Sequence, residues 1–256
     1  VRVIGSRTLL ARSAPGRLSR SGQLASATIG RGRRWPIVLA VFVPLLLLGL
    51  LGAALVPKAA SPLADFLLDG PRSPGCVRLV LLRDQSGSMV EHAAAREEAT
   101  ERLLEWVVQP EVLRGDDEVA VIDWAGSAVV ALPATRVSEL SGDVPGTRSG
   151  LSDGTDVTVG IDAAAEMPLT NCRVAFVFLT DGFSEPVDTA AAQAMRDIGV
   201  ASVATIVPSG VGLADTWARD FPYGLVRTVE AGAADRNAAA IAEALGAATG
   251  QRLAQR

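Results

Sequence analysis

Histidine is almost missing from this chain: His92 is the only one in 256 residues, so metal sites built on several imidazoles are excluded. Cysteine occurs twice, at Cys76 and Cys172, with no second pair or clustered histidine that would make a zinc site. No G-x-x-x-x-G-K-S/T loop and no G-x-G-x-x-G fingerprint is present, and Gly210-Val211-Gly212 is too short to stand in for either. No G-x-S-x-G elbow surrounds Ser86 or Ser88, so a serine hydrolase built around His92 lacks its nucleophile turn. His92 itself reads as an exposed helix histidine. A phosphoryl-transfer enzyme with an aspartyl nucleophile would need a second Asp two residues after Asp84, where Ser86 stands. These absences favour binding over catalysis, and the chain is expected not to be an enzyme.

Acidic residues are missing from the whole N-terminal quarter. The first is Asp65, whereas Arg2, Arg7, Arg12, Arg17, Arg20, Arg31, Arg33 and Arg34 all precede Trp35. The net charge of −4 therefore conceals a strong asymmetry. A basic arm suits nucleic acid, yet this one has no interleaved aromatics and runs straight into Pro36–Val56, an apolar stretch without charge. Such a stretch matches the roughly 20 residues a spanning helix needs. The arginine excess on its N-terminal side keeps that side cytoplasmic. The reading is a single-pass anchor over 36–56 behind a basic cytoplasmic arm over 1–35, with everything after it outside the cytoplasm and no nucleic-acid role. A cleaved signal peptide is the alternative, with the small residues Ala59, Ala60 and Ser61 as its cleavage region.

Beyond the anchor, 57–75 is rich in Pro, Ala, Gly and Ser and reads as a linker, with at most one short helix near Leu63–Leu68. The main domain is expected over 76–250, with a tail at 251–256. Apolar runs at Val77–Leu82 and Val174–Leu179 read as buried strands, and Asp117–Trp124 with Ser127–Leu132 reads as a hairpin. Helical spacing over Val90–Val108 places Ala95, Ala99, Leu103 and Trp106 on one face. Further helices are expected at Asp156–Glu166, Thr189–Ile198 and Asp235–Thr249, and further strands at Ala201–Val207 and Gly224–Val229. Strands alternating with helices imply an α/β fold: a doubly wound, mainly parallel sheet with one antiparallel edge strand and helices on both faces. Trp124 and Trp217 are candidate aromatic anchors for a ligand, although Trp124 closes a strand and fits a core.

Three separated pieces carry the chemistry: Asp84-Gln85-Ser86-Gly87-Ser88, Thr155 in Gly154-Thr155-Asp156, and Asp181 in Leu179-Thr180-Asp181-Gly182. The first and third follow predicted strands, and strand ends are where open α/β sheets place their sites. Together they offer two carboxylates and three hydroxyls, hard donors suited to Mg²⁺ or Mn²⁺. With few charged donors, the ion keeps net positive charge and bound water, which a carboxylate from another protein can replace.

This set resembles the metal-ion-dependent adhesion site of the von Willebrand factor type A (VWA) family, over roughly residues 75–250. The resemblance implies that Asp84, Ser86, Ser88, Thr155 and Asp181 hold the metal, with the serines and threonine as coordinating residues. It implies a Rossmann-like VWA fold and a partner protein presenting an exposed Asp or Glu. Gly182, Phe183, Ser184 and Glu185, with the loop Gly142–Gly154, are expected to form the ligand rim. In a VWA-like sheet the strands led by Cys76 and Cys172 are parallel neighbours, about 4.8 Å apart. A Cys76–Cys172 disulfide is therefore expected in an oxidising compartment, the alternative being two free buried thiols. The expected function is a membrane-tethered adhesion domain. The alternative is an assembly subunit of a cell-envelope complex whose contacts need no metal.

Overall fold

Apolar central strands and the helices that cover them account for most of the core. In the computed structural model, which describes residues 62–140 and 151–256, the central sheet has six strands. They are β2 (Val77–Asp84), β3 (Glu118–Trp124), β4 (Ala128–Arg136), β5 (Arg173–Leu179), β6 (Val200–Pro208) and β7 (Leu225–Val229), in the order β4-β3-β2-β5-β6-β7. All neighbours are parallel except the β3–β4 hairpin, which makes β4 the antiparallel edge strand. Every residue of β2 is buried, as expected of a strand covered on both faces.

Alternation along β2 assigns its side chains to two cores. Val77, Leu79 and Leu81 pack with Ala99, Leu103, Trp106 and Ile241, beneath helices α1 (Ala93–Val107) and α5 (Ala234–Thr249). Val80 and Leu82 face the other way, with Phe176, Phe178, Ile161, Ala191 and Trp217. That second face is covered by α2 (Val157–Ala165), α3 (Thr189–Asp197) and α4 (Asp215–Asp220). Each fully buried leucine or phenylalanine contributes about 1.5–3 kcal/mol, so the central strands anchor everything attached to their ends. Trp217 stacks edge-on against Phe178 at 5.1 Å and its indole N–H donates to Thr205 Oγ1 at 3.0 Å. Both candidate ligand-binding tryptophans, Trp124 and Trp217, are thus core residues.

The boundaries differ from expectation at both ends of the domain. Residues Pro62–Asp65 form a 3₁₀ turn and Phe66–Asp69 a strand, β1, inside the stretch read as linker. β1 pairs antiparallel with β8 (Arg252–Gln255), inside the stretch read as a tail. Leu63 and Leu68 are buried in the α1–α5 core, and the Trp106 indole donates to the Phe66 carbonyl at 3.0 Å. Four-residue strands are too short to show a period, and their partners lie at the other end of the chain, so no local pattern marks them.

At the edge of the sheet where β2 and β5 begin, Cys76 and Cys172 form a disulfide with Cα atoms 4.6 Å apart. The pairing follows from register: Val77 lies opposite Arg173, one residue beyond the two cysteines. The described residues belong to one compact unit, Lys58–Arg256. The predicted anchor over 36–56 and most of the rim loop Gly142–Gly154 lie outside the described residues. Among the described residues, no helix is long and apolar enough to cross a membrane.

Candidate functional site

The C-terminal ends of β2 and β5 are adjacent, and each ends in a buried acidic residue or runs into one. Asp84 closes β2 with no exposure; Asp181 follows β5 by two residues and is 2 % exposed. Thr180 sits between them. Its hydroxyl donates to Asp84 Oδ2 at 2.6 Å and accepts from the Gly182 N–H at 3.0 Å. One side chain therefore fastens the two strand ends and fixes the Asp181 turn. The Phe183 N–H donates to Asp181 Oδ1 at 3.0 Å, which orients the second carboxylate. Gly182 adopts φ +75°, a conformation strained for any residue with a Cβ, and a Cβ there would also push Leu213 Cδ1 aside from 2.6 Å, so the turn favours glycine.

The Asp84 loop folds back on its own carboxylate. The Ser86 N–H donates to Asp84 Oδ1 at 2.8 Å, and the Ser86 and Ser88 hydroxyls are 3.2 Å apart. Ser86 is buried and Ser88 exposed, so the hydroxyl pair leads from the interior to the surface. Burial pushes the Asp84 carboxyl above its ordinary range, against the hydrogen bonds from Thr180 and Ser86, and the nearby Asp181 adds to the upward push. Among the described residues no arginine or histidine forms an ion pair with Asp84 or Asp181.

Thr155 is half-buried, just ahead of α2. Its carbonyl accepts from the Glu185 N–H at 3.0 Å, and Asp156 and Glu185 form a parallel bridge, so the Thr155 segment is fastened to the loop after Asp181. The Asp156 carboxylate caps α2 by accepting from the Thr158 N–H at 2.9 Å. The predicted rim residues divide by role. Gly182 is buried and shapes the turn, whereas Phe183 is 56 % exposed. The Ser184 hydroxyl accepts from the Val157 N–H at 2.9 Å, helping to hold the start of α2 in place. Thr155, Phe183, Ser184, Glu185, Ala214 and Thr216 line an open cleft of about 330 Å³.

His92 departs from its sequence reading. It ends a 3₁₀ segment, Gly87–His92, and is only 8 % exposed, in a small crevice with Met89, Arg96, Val229 and Asn237. The 3₁₀ segment occupies the first turn expected of α1, and its tighter winding turns the imidazole inward. Sequence reasoning also passed over Thr180, Gln85, Asp123 and Arg96. Arg96 carried a signal: Arg96, Thr100, Leu103, Leu104 and Val107 recur at helical spacing on the buried side of α1, which marks a charge aimed into the core.

No family model matches the chain, and no curated protein matches it. Solved structures do. A von Willebrand factor type A protein from Catenulispora acidiphila superposes with a TM-score of 0.53 at 19 % identity, over 71 % of this chain and 50 % of that one. Proximal thread matrix protein 1 from the mussel byssus superposes with a TM-score of 0.52 at 14 % identity, over 75 % of this chain and 51 % of that one. The same mussel protein with a zinc-occupied MIDAS motif gives 0.51 at 14 % identity, over 75 % of this chain and 50 % of that one. The chain thus spans about half the length of these three solved chains. At such identities the likeness shows the fold: the described residues adopt that of a von Willebrand factor type A domain.

Proposed function

We propose that this domain binds a protein partner through a divalent cation held by Asp84, Ser86, Ser88, Thr155 and Asp181, which bridges to an Asp or Glu of the partner. One observation carries the reading: two buried carboxylates stand side by side at the strand ends with neutral hydrogen-bond donors and no ion pair among the described residues. Like charges held together out of water are costly unless a cation joins them. The donor set fits a hard cation. The Asp84 oxygens accept from the Ser86 N–H at Oδ1 and the Thr180 hydroxyl at Oδ2, and the Ser86 and Ser88 hydroxyls lie within 3.2 Å of each other. All the donors are oxygens, which suits Mg²⁺ or Mn²⁺. That the mussel protein carries zinc in its MIDAS motif supports a divalent ion at this place in the fold.

Ser88, the half-buried Thr155 and the cleft beside it open the site to solvent, and the exposed Phe183 offers an apolar contact at its rim. We read the role as capture, not turnover. The Pro36–Val56 run would tether the domain to a membrane with the N-terminus cytoplasmic and the metal site outside. The disulfide agrees with an oxidising compartment.

The test is capture from solubilised cell envelope by the full chain, run in Mg²⁺, in chelator and with Asp84→Ala. A partner retained only by the unaltered chain in Mg²⁺ supports the reading. Capture indifferent to both treatments overturns it and leaves an assembly subunit whose contacts need no metal.

A further inference from the structure

Beneath the serine loop lies a buried polar chain that the metal reading does not use. The Arg83 and Asp123 side chains, at the ends of β2 and β3, have no exposure and form a two-pronged pair, Nε to Oδ1 at 2.7 Å and Nη2 to Oδ2 at 3.0 Å. Gln85 Nε2 donates to the same Asp123 Oδ1 at 3.0 Å. Gln85 Oε1 in turn accepts from Arg96 Nη2 at 2.8 Å. Arg96, 3 % exposed on α1, also reaches the Met89 carbonyl through Nη1 at 3.4 Å. A further bond, from the Gln85 N–H to the Trp124 carbonyl at 2.7 Å, fixes the backbone at this point.

The loop Gln85–Met89 contains both serine donors and is gripped at each end by one guanidinium. Gln85 stands directly between Asp84 and Ser86, so its side-chain orientation and the direction of the two donors are settled together. We propose that Gln85 and Arg96 are positioning residues for the metal loop: Arg96 clamps the loop at Gln85 and Met89, and Gln85 joins that clamp to the Arg83–Asp123 pair. The inference rests on the metal-binding reading of Asp84, Ser86 and Ser88. A guanidinium suits the task because its planar fork presents several donors in fixed directions, whereas an ammonium is a single point. Burial lowers the Arg96 pKa to about 10, with the Asp84 and Asp123 charges opposing the fall, so the clamp stays charged at neutral pH. Groups that hold metal ligands from behind typically change affinity about 10–100-fold when removed.

The experiment is Mn²⁺ binding to the full chain in detergent, read by electron paramagnetic resonance. The free-ion signal gives the affinity and the bound spectrum reports the symmetry of the site. Gln85→Met cuts both side-chain bonds without altering charge, and Arg96→Lys keeps the charge but loses the fork. Both are expected to weaken Mn²⁺ by about tenfold or more and to broaden the bound spectrum. Metal-free melting of Gln85→Met is expected to fall modestly, because the buried Arg96 loses an acceptor, so the affinity and the bound spectrum are the deciding readouts. Variants that melt lower yet bind Mn²⁺ with unchanged affinity and spectrum would show a structural role only and overturn the proposal. If Arg96→Lys does not fold, Gln85→Met decides. Failure of the unaltered chain to bind Mn²⁺ would overturn the metal reading itself, a distinct result.

Discussion

Asp84 and Asp117 stand at opposite edges of the same sheet, are both fully buried, and are treated in opposite ways. Asp117, just before β3, pairs with the Arg72 guanidinium and accepts from the Val77 N–H at 2.8 Å and the Arg114 N–H at 2.6 Å. Asp84, at the end of β2, receives neutral donors, the Ser86 N–H and hydroxyl and the Thr180 hydroxyl, and has a second carboxylate for a neighbour. The edge where β2 begins also carries the disulfide, the Arg78–Glu118 pair at 2.6 Å and the β1–β8 ribbon. One edge closes its aspartate with a direct ion pair and a covalent bond; at the other, Asp84 has no ion pair among the described residues, and the nearby Arg96 acts on it only through space. Burial alone does not distinguish the aspartates. Their partners do.

The sharpest way to break this comparison is to remove each carboxylate in turn. Asp117→Ala strands Arg72 and two backbone N–H groups, and breaking a buried pair costs about 3–5 kcal/mol. Denaturant unfolding should show that loss, while Mn²⁺ affinity of the folded protein stays unchanged. Asp84→Ala should do the reverse: Mn²⁺ binding disappears and the metal-free stability falls far less than in Asp117→Ala. Equal destabilisation by the two substitutions would erase the distinction between the edges.

The next effect in size belongs to the disulfide. Cys76 and Cys172 close a loop across a sequence separation of 96, and native bridges of this kind contribute about 2–4 kcal/mol. Reducing it, or replacing both cysteines by serine, should lower the unfolding midpoint measured by denaturant. Mn²⁺ affinity should hold, because the site lies at the far ends of the same two strands. Affinity lost together with the bridge would show that the edges are coupled.

Much of this was legible beforehand, for stated physical reasons. Largely apolar runs placed β2 and β5, and the polar residues after them placed the site, because a strand buried on both faces must change character where it leaves the sheet. The cysteines could be paired because the resemblance to a VWA sheet implied that their strands are parallel neighbours, about 4.8 Å apart. What stayed hidden depended on distant partners. β1 and β8 are four residues each and meet across the whole domain. His92 turned inward because a 3₁₀ segment replaced the first turn of a helix. Thr180 ties the Asp84 carboxylate to the Asp181 turn only after the strands have paired, so its role exists in the fold and not in the local sequence.

The smallest predicted effect sharpens the comparison most, since it needs no unfolding of either edge. Burial raises the folded-state pKa of Asp84 above its unfolded value, so the folded metal-free domain binds its proton more tightly than the unfolded chain does. That preference contributes stability which is fully present below the unfolded pKa, near 3.9 for an aspartate, and is lost as pH rises through the raised folded pKa. Between those values the metal-free melting temperature should therefore fall with rising pH through this group, and the same decline should be missing from Asp84→Asn. Mg²⁺ selects the ionised carboxylate, so it should reverse the slope and stabilise more as pH rises, until Asp84 is ionised without its help. Melting curves over that range, with Mg²⁺ and with chelator, check both signs. A slope identical in Asp84→Asn would mean that other carboxylates set the response, and Asp84 would lose its standing as the charge that waits for a cation.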